Sequence, residues 1–158
     1  MNSALLDTSF LISFSDPTRP HHLAADQYYQ ECRRRQVLMF ISTIAISEFE
    51  IRQPITDLPM RSFIVLPFNV DHARRCAALS QRIIRDAGDS RVTVKDDLKL
   101  IAQCACEGIT HLLTEDAKTL AKYLLRLNPE FSQPVRPVLL RDGFDPSHFE
   151  NGQHRLLP

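Results

Sequence analysis

Asp96 and Asp97 stand side by side at the head of the stretch VKDDLKLIAQCACEGITHLLTED, and Asp116 closes it. Two more acids fall at comparable places. Asp7 follows the apolar run Ala4-Leu5-Leu6, and Glu48 lies in ISTIAISEFE, just after a second apolar run. Each sits at the end of a run that reads as a strand, or soon after one. Carboxylates brought together in this way repel, so they take up protons or bind cations. A donor set of oxygens alone, with no His or Cys, suits Mg²⁺ or Mn²⁺ better than zinc. An ion held there polarises a phosphate, lowers the pKa of a bound water and stabilises a departing oxygen.

Helical spacing separates the neighbouring acids. Asp97 shares a face with Ile101, Cys104 and Ala105, which carries it toward a core, whereas Asp96 aligns with Lys99, Leu100 and Gln103. Asp96 also follows Thr93 by three residues, the spacing of a capping box, and a helix-start acid favoured by the dipole accounts for it without chemistry. Asp97 is therefore the candidate. Glu48 lies on the face of Ile44 and Ile51, while Glu50 falls beside Ser47 and Gln53. Taken alone, Glu48 serves as well for a surface acid as for a site.

The elements that must position these acids alternate along the chain. Strands are expected over Ala4–Leu6, Val37–Ile41, Ser62–Asn69, Ile109–Leu113 and Val135–Leu140, with Pro67 marking an edge. Helices are expected from Phe10 to Phe14 and from His21 to Arg35. Another runs from a Ser42-Thr43 cap to Pro54, another from an Asp71 cap to Ala87, and two more over Lys95–Glu107 and Ala117–Leu127. Gly108 takes the left-handed C-cap position. Such alternation predicts an α/β fold: a three-layer α/β/α sandwich around a central, mostly parallel sheet. At its carboxyl edge such a sheet gathers active-site residues. Residues 1–141 form one domain in this reading, and 142–158 an irregular C-terminal tail.

Composition bounds the function further. The 158 residues carry 19 basic and 19 acidic side chains, which argues against a bulk basic nucleic-acid binder. Arg33-Arg34-Arg35 suits a solvated helix C-terminus better than a phosphate site. Cys32, Cys76, Cys104 and Cys106 show neither a zinc nor a disulfide pattern, as in a reducing compartment. With no signal peptide and no long apolar run, a cytoplasmic location is expected.

Four motifs, in order, resemble the PIN-domain ribonucleases, and in particular the VapC-type toxins of toxin–antitoxin pairs. They are LLDTSFLI with Asp7 and Ser9, ISTIAISEFE with Ser42 and Glu48, DLKLIAQCACEG from Asp97 to Gly108, and LLTED with Thr114 and Asp116. The resemblance spans about residues 3 to 120. It implies a PIN-like fold and an endoribonuclease dependent on Mg²⁺ or Mn²⁺, the ion held by Asp7, Glu48, Asp97 and Asp116. Thr8, Ser9 and Thr114 would support those acids. It further implies an RNA substrate, an antitoxin partner and a homodimer, with no membrane association.

Other readings stand beside this one. A non-catalytic PIN-like interaction module would be expected to lose some of the acids, and all four are present. A PIN nuclease outside any toxin–antitoxin system would keep them. A phosphoacceptor domain of receiver type wants paired acids early in the chain and a late-strand Lys; here Asp7 is single and Val135–Leu140 holds only Arg136.

Overall fold

Strands β1 (Ser3–Leu6), β2 (Leu38–Ser42), β3 (Ile64–Leu66), β4 (His111–Thr114) and β5 (Arg136–Leu139) make one sheet in the order β3-β2-β1-β4-β5. Every pairing is parallel. The helices between them are α1 (Thr8–Ser15), α2 (His22–Arg34), α3 (Thr43–Phe49), α4 (Val70–Arg82), α5 (Arg91–Glu107) and α6 (Leu120–Leu127). The computed structural model describes residues 1–150; the end of the expected tail, 151–158, lies outside the described residues.

Parallel strands with right-handed crossovers force the helices onto both faces. The central strands accordingly lose their polar alternation: SALL in β1 and HLLT in β4 are buried throughout. Successive side chains still point to opposite faces. Ala4 and Leu6 join the core that includes Phe10, Tyr28 and Phe49, from α1, α2 and α3, whereas Leu5 joins Leu79, Ile101 and Tyr123, from α4, α5 and α6. The result is a PIN-like α/β/α sandwich. Strand order reverses between β1 and β4, and the carboxyl ends of those two strands carry Asp7 and Asp116.

Several boundaries differ from expectation for identifiable reasons. The cap of α4 is Asn69 rather than Asp71. Its side chain accepts from His72 N at 3.0 Å while His72 Nδ1 accepts from Asn69 N at 3.1 Å, a capping box closed by histidine. That helix stops at Arg82, short of Ala87. Helix α5 begins at Arg91, because Ser90 caps it through Thr93 N. Thr93 and Asp96 therefore form no capping pair, and Asp96 lies in the second turn. Helix α3 ends at Phe49, short of the expected Pro54, which puts Glu48 in its last turn. Gly108 caps α5 with φ +63°, as its position implied.

Beyond β5 the chain turns back across α2. Tyr28 Oη donates to Gly143 O and accepts from Asp145 N, both at 3.1 Å, and Phe149 is buried against Tyr28 and His111. The arginine run at the end of α2 is largely committed: Arg34 and Arg35 bind Glu31, and Arg33 lies over the Tyr29 ring. No helix among the described residues is long and apolar enough to cross a membrane.

Candidate active site

Asp7 leaves β1 and caps α1, accepting from Phe10 N at 2.8 Å. It is almost wholly buried, so the surrounding hydroxyls carry its solvation. Ser9 Oγ lies 2.8 and 2.9 Å from its two oxygens, and Thr114 Oγ1 donates to Oδ2 at 2.5 Å. Both hydroxyls are held from behind. Ser9 Oγ accepts from Glu115 N at 2.8 Å, and Thr114 Oγ1 accepts from Asp116 N at 2.9 Å. The backbone after β4 thus aims two hydroxyls at one carboxylate on β1, which locks the ends of the two strands together.

Glu48 reaches the same place from α3 and accepts from Thr8 Oγ1 at 2.5 Å. Asp116 folds back to cap the turn into α6: its carboxylate accepts from Lys118 N, Thr119 N and Thr119 Oγ1. That turn delays α6 to Leu120, against the expected start at Ala117. Asp97 comes from the second turn of α5 and is 8% exposed, and its Oδ2 is buried with no hydrogen-bond partner.

Asp7, Glu48, Asp97 and Asp116 line one cavity of about 370 Å³, together with Thr8, Ser9 and Ile12. Asp96 lines it too, although its Oδ1 is bound by Lys99 Nζ at 2.8 Å. Thr114 stands behind Asp7 and is fully buried. Val92, Thr93 and Leu100 complete the wall, and none was read from sequence as part of a site. A signal was available: they lie four residues from Asp96 or Asp97, on the same side of the helix. No Lys, Arg or His lines the cavity.

Crowding of carboxylates shows in their acidity. Burial pushes Asp97 up to about 7 against the pull of the Thr119 hydroxyl, with the charges of Asp116, Asp7 and Glu48 adding to the rise. Burial likewise raises Asp7 to about 6, although the hydrogen bonds from Thr114, Phe10 and Ser9 pull the other way. Among the described residues no three acidic, His or Cys side chains stand close enough to hold a cation as they are placed. The donor type nevertheless fits a hard divalent cation, and the unpartnered Oδ2 of Asp97 is an atom that a cation or a proton would satisfy.

A larger hollow, about 440 Å³, opens at the amino end of the sheet beside Asn2, His111 and Arg136. Both ring nitrogens of His111 are already bonded there, to Thr110 Oγ1 and to His148 O. The acids lie at the other end of the strands.

No protein-family model and no curated protein sequence matches the chain. Solved structures do. The Mycobacterium tuberculosis toxin VapC20, described as cleaving the Sarcin-Ricin loop, superposes with a TM-score of 0.55 at 16% identity, over 73% of this chain and 92% of its own. DNA-bound VapBC from Salmonella typhimurium gives 0.55 at 14% identity, over 89% and 99% of the two chains. VapBC2 from Rickettsia felis, bound to a promoter DNA fragment, gives 0.54 at 12%, over 86% and 97%. This chain carries the VapC fold. At such identities the likeness is one of backbone, the PIN-like sandwich with its all-parallel sheet.

Proposed function

We propose that the chain is a divalent-metal-dependent endoribonuclease that hydrolyses phosphodiester bonds in RNA, and that it is the toxin of a toxin–antitoxin pair. The observation that carries this is the convergence of Asp7, Glu48, Asp97 and Asp116 on one cavity without a cationic side chain. The VapC fold supports it, since one structure sharing that fold is a Sarcin-Ricin loop cleaving toxin and others are toxin–antitoxin assemblies.

Asp7, Glu48, Asp97 and Asp116 would hold Mg²⁺ or Mn²⁺, directly or through waters. Such an ion, when bound, supplies a nucleophilic water at neutral pH and neutralises charge on the departing oxygen. The chain's own residues prepare for that. Ser9 and Thr114 fix the Asp7 carboxylate, and Thr8 fixes Glu48. Asp116 ties its position to the start of α6, so the acids from β1, α3, α5 and β4 keep a common geometry. A restraining antitoxin that placed a basic side chain in the cavity would supply the same positive charge. A homodimer, further paired with antitoxin, is the assembly that goes with this function.

The test is cleavage of RNA by the purified chain, freed of any partner. Cleavage should require Mg²⁺ or Mn²⁺. Undiminished cleavage in EDTA would overturn the metal dependence, and no cleavage of any RNA with either ion would overturn the nuclease itself.

A further inference from the structure

We propose that a second hollow, beside the acidic cavity, receives an unpaired RNA base next to the phosphate being cut; this rests on the nuclease function proposed above. The hollow has a volume of about 310 Å³ and lies between α4 and α5. Its lining is mainly apolar: Phe68, Ala73, Cys76 and Ala77, with Lys95 and Lys99 at one side.

Three features favour a nucleotide over another occupant. The first is charge. A cavity lined by five carboxylates repels an RNA backbone, so a phosphate chain that approaches it needs cations close by. Several basic side chains are committed elsewhere: Arg34 and Arg35 to Glu31, Lys122 and Arg126 to Asp86. Lys95 is exposed and makes no ion pair among the described residues. It projects from the helix that carries Asp96 and Asp97.

The second is chemistry. One aromatic ring and small apolar side chains, flanked by lysines, is the pairing of stacking surface and cation by which single-stranded nucleic acid is held. The third is continuity. Lys99 beside this hollow binds Asp96, which lines the acidic cavity, so the two hollows share a wall on α5. Phe68 is also tied to the site's framework. Its backbone N donates to Thr43 Oγ1 at 3.1 Å, at the start of the helix that carries Glu48 in its last turn.

The experiment measures binding of short, fluorescein-labelled single-stranded oligoribonucleotides by anisotropy in EDTA, where cleavage is prevented. Uridine-rich and adenosine-rich strands are each compared with a strand of the same length lacking bases. Ala77→Leu fills the hollow from an exposed helix position, and Lys95→Ala removes the cation. Each should weaken binding by about tenfold with an unchanged melting temperature. Ala77→Leu should also abolish the preference for strands with bases, and Lys95→Ala should reduce the salt dependence by about one contact.

Unchanged affinity in both variants, with Mn²⁺-dependent cleavage intact, overturns the base site and leaves the nuclease standing. Unchanged affinity with loss of a dimer by light scattering in Ala77→Leu assigns the hollow to a second copy of the chain, and so also overturns it. A chain that neither binds nor cuts RNA removes the nuclease function and the base site together.

Discussion

Two groups of acids lie near the start of α5, and they are satisfied in opposite ways. In the connection before the helix, Asp86 is gripped by Arg126 through two bonds of 2.9 Å, and Lys122 Nζ bridges Asp86 and Asp89 at 2.9 and 2.6 Å. Tyr123 Oη donates to Asp89 at 2.5 Å and accepts from Asp86 N at 3.0 Å. Arg126 and Lys122 hold Asp86 well below the ordinary carboxylate range, and Lys122 with Tyr123 does the same for Asp89. Two turns into the helix the situation reverses. Asp97 faces Asp7, Glu48 and Asp116 with no cation, and burial raises it to about 7. One cluster fastens the helix to α6. The other leaves a buried carboxylate facing three more with no cation to offset their charge, the arrangement on which the proposed metal site rests.

The largest effect is expected from relieving the uncompensated cluster. Asp97→Asn should nearly abolish metal-dependent cleavage, yet in EDTA at about pH 8 it should stabilise the protein by something on the order of 1–3 kcal/mol. The sign follows from the direction of the shifts. Asp7 and Asp97, raised to about 6 and 7 from 3.8, hold protons in the folded state that the unfolded chain has already released. Wild-type stability therefore falls as pH rises through the window between those values, and the fall should be shallower in Asp97→Asn. Thermal melts across that range read both. A variant less stable than wild type at every pH would mean that the Asp97 carboxylate is paired after all.

Breaking the compensated cluster should act in the other direction. Tyr123→Phe removes a buried hydroxyl that donates to Asp89 and accepts from Asp86 N, and should cost about 1–2 kcal/mol. Because Asp86 and Asp89 are depressed, the stability they contribute is present above the ordinary carboxylate pKa and is lost as pH falls below about 4. The same melts carried to acid should show that loss, opposite in sign to the effect of the cavity's acids. Cleavage should change little at saturating substrate. Loss of cleavage equal to that of Asp97→Asn would show that the two clusters are not separate.

Legibility from sequence followed the same division. Asp7 and Asp116 were readable because each follows an apolar strand, and a parallel sheet sends such ends to one edge; Glu48 and Asp97 were readable from the helix faces they share with apolar residues. The parallel sheet with helices on both faces and the Gly108 cap follow from the alternation of elements and from backbone sterics, whereas the strand order came only with the structure. The Asp86, Asp89, Lys122, Tyr123 and Arg126 network was not readable. Its two halves, Asp86 with Asp89 and Lys122 with Tyr123 and Arg126, lie more than thirty residues apart, and nothing local distinguishes them from surface charges. Side-chain caps also went astray where an unexpected residue closed the box, as His72 does for Asn69, or where Asp116 held a turn that helical periodicity alone would have continued. Glu31 shows the same limit. Its bonds to Arg34 and Arg35 pull it down to about 2, while the sequence showed only three arginines at a helix end.

The smallest effect, and the finest test of the comparison, belongs to Asp96. It has what Asp97 lacks: its own cation, Lys99, at 2.8 Å, with both side chains about one-third exposed. An i,i+3 pair of this kind contributes only about 0.2–0.5 kcal/mol. It also lines the cavity, so proximity alone does not separate the two acids. Burial and partnering do. Asp96→Asn should keep most of the cleavage and lose no more than that small pair, whereas Asp97→Asn should lose cleavage and gain stability. Metal-dependent cleavage by both variants, with melts in EDTA, decides between them. If Asp96→Asn is inactive and Asp97→Asn active, the cation is held by the outer face of α5, and the unpartnered oxygen of Asp97 is a proton site instead. If both stay fully active, the acids of α5 hold no catalytic metal.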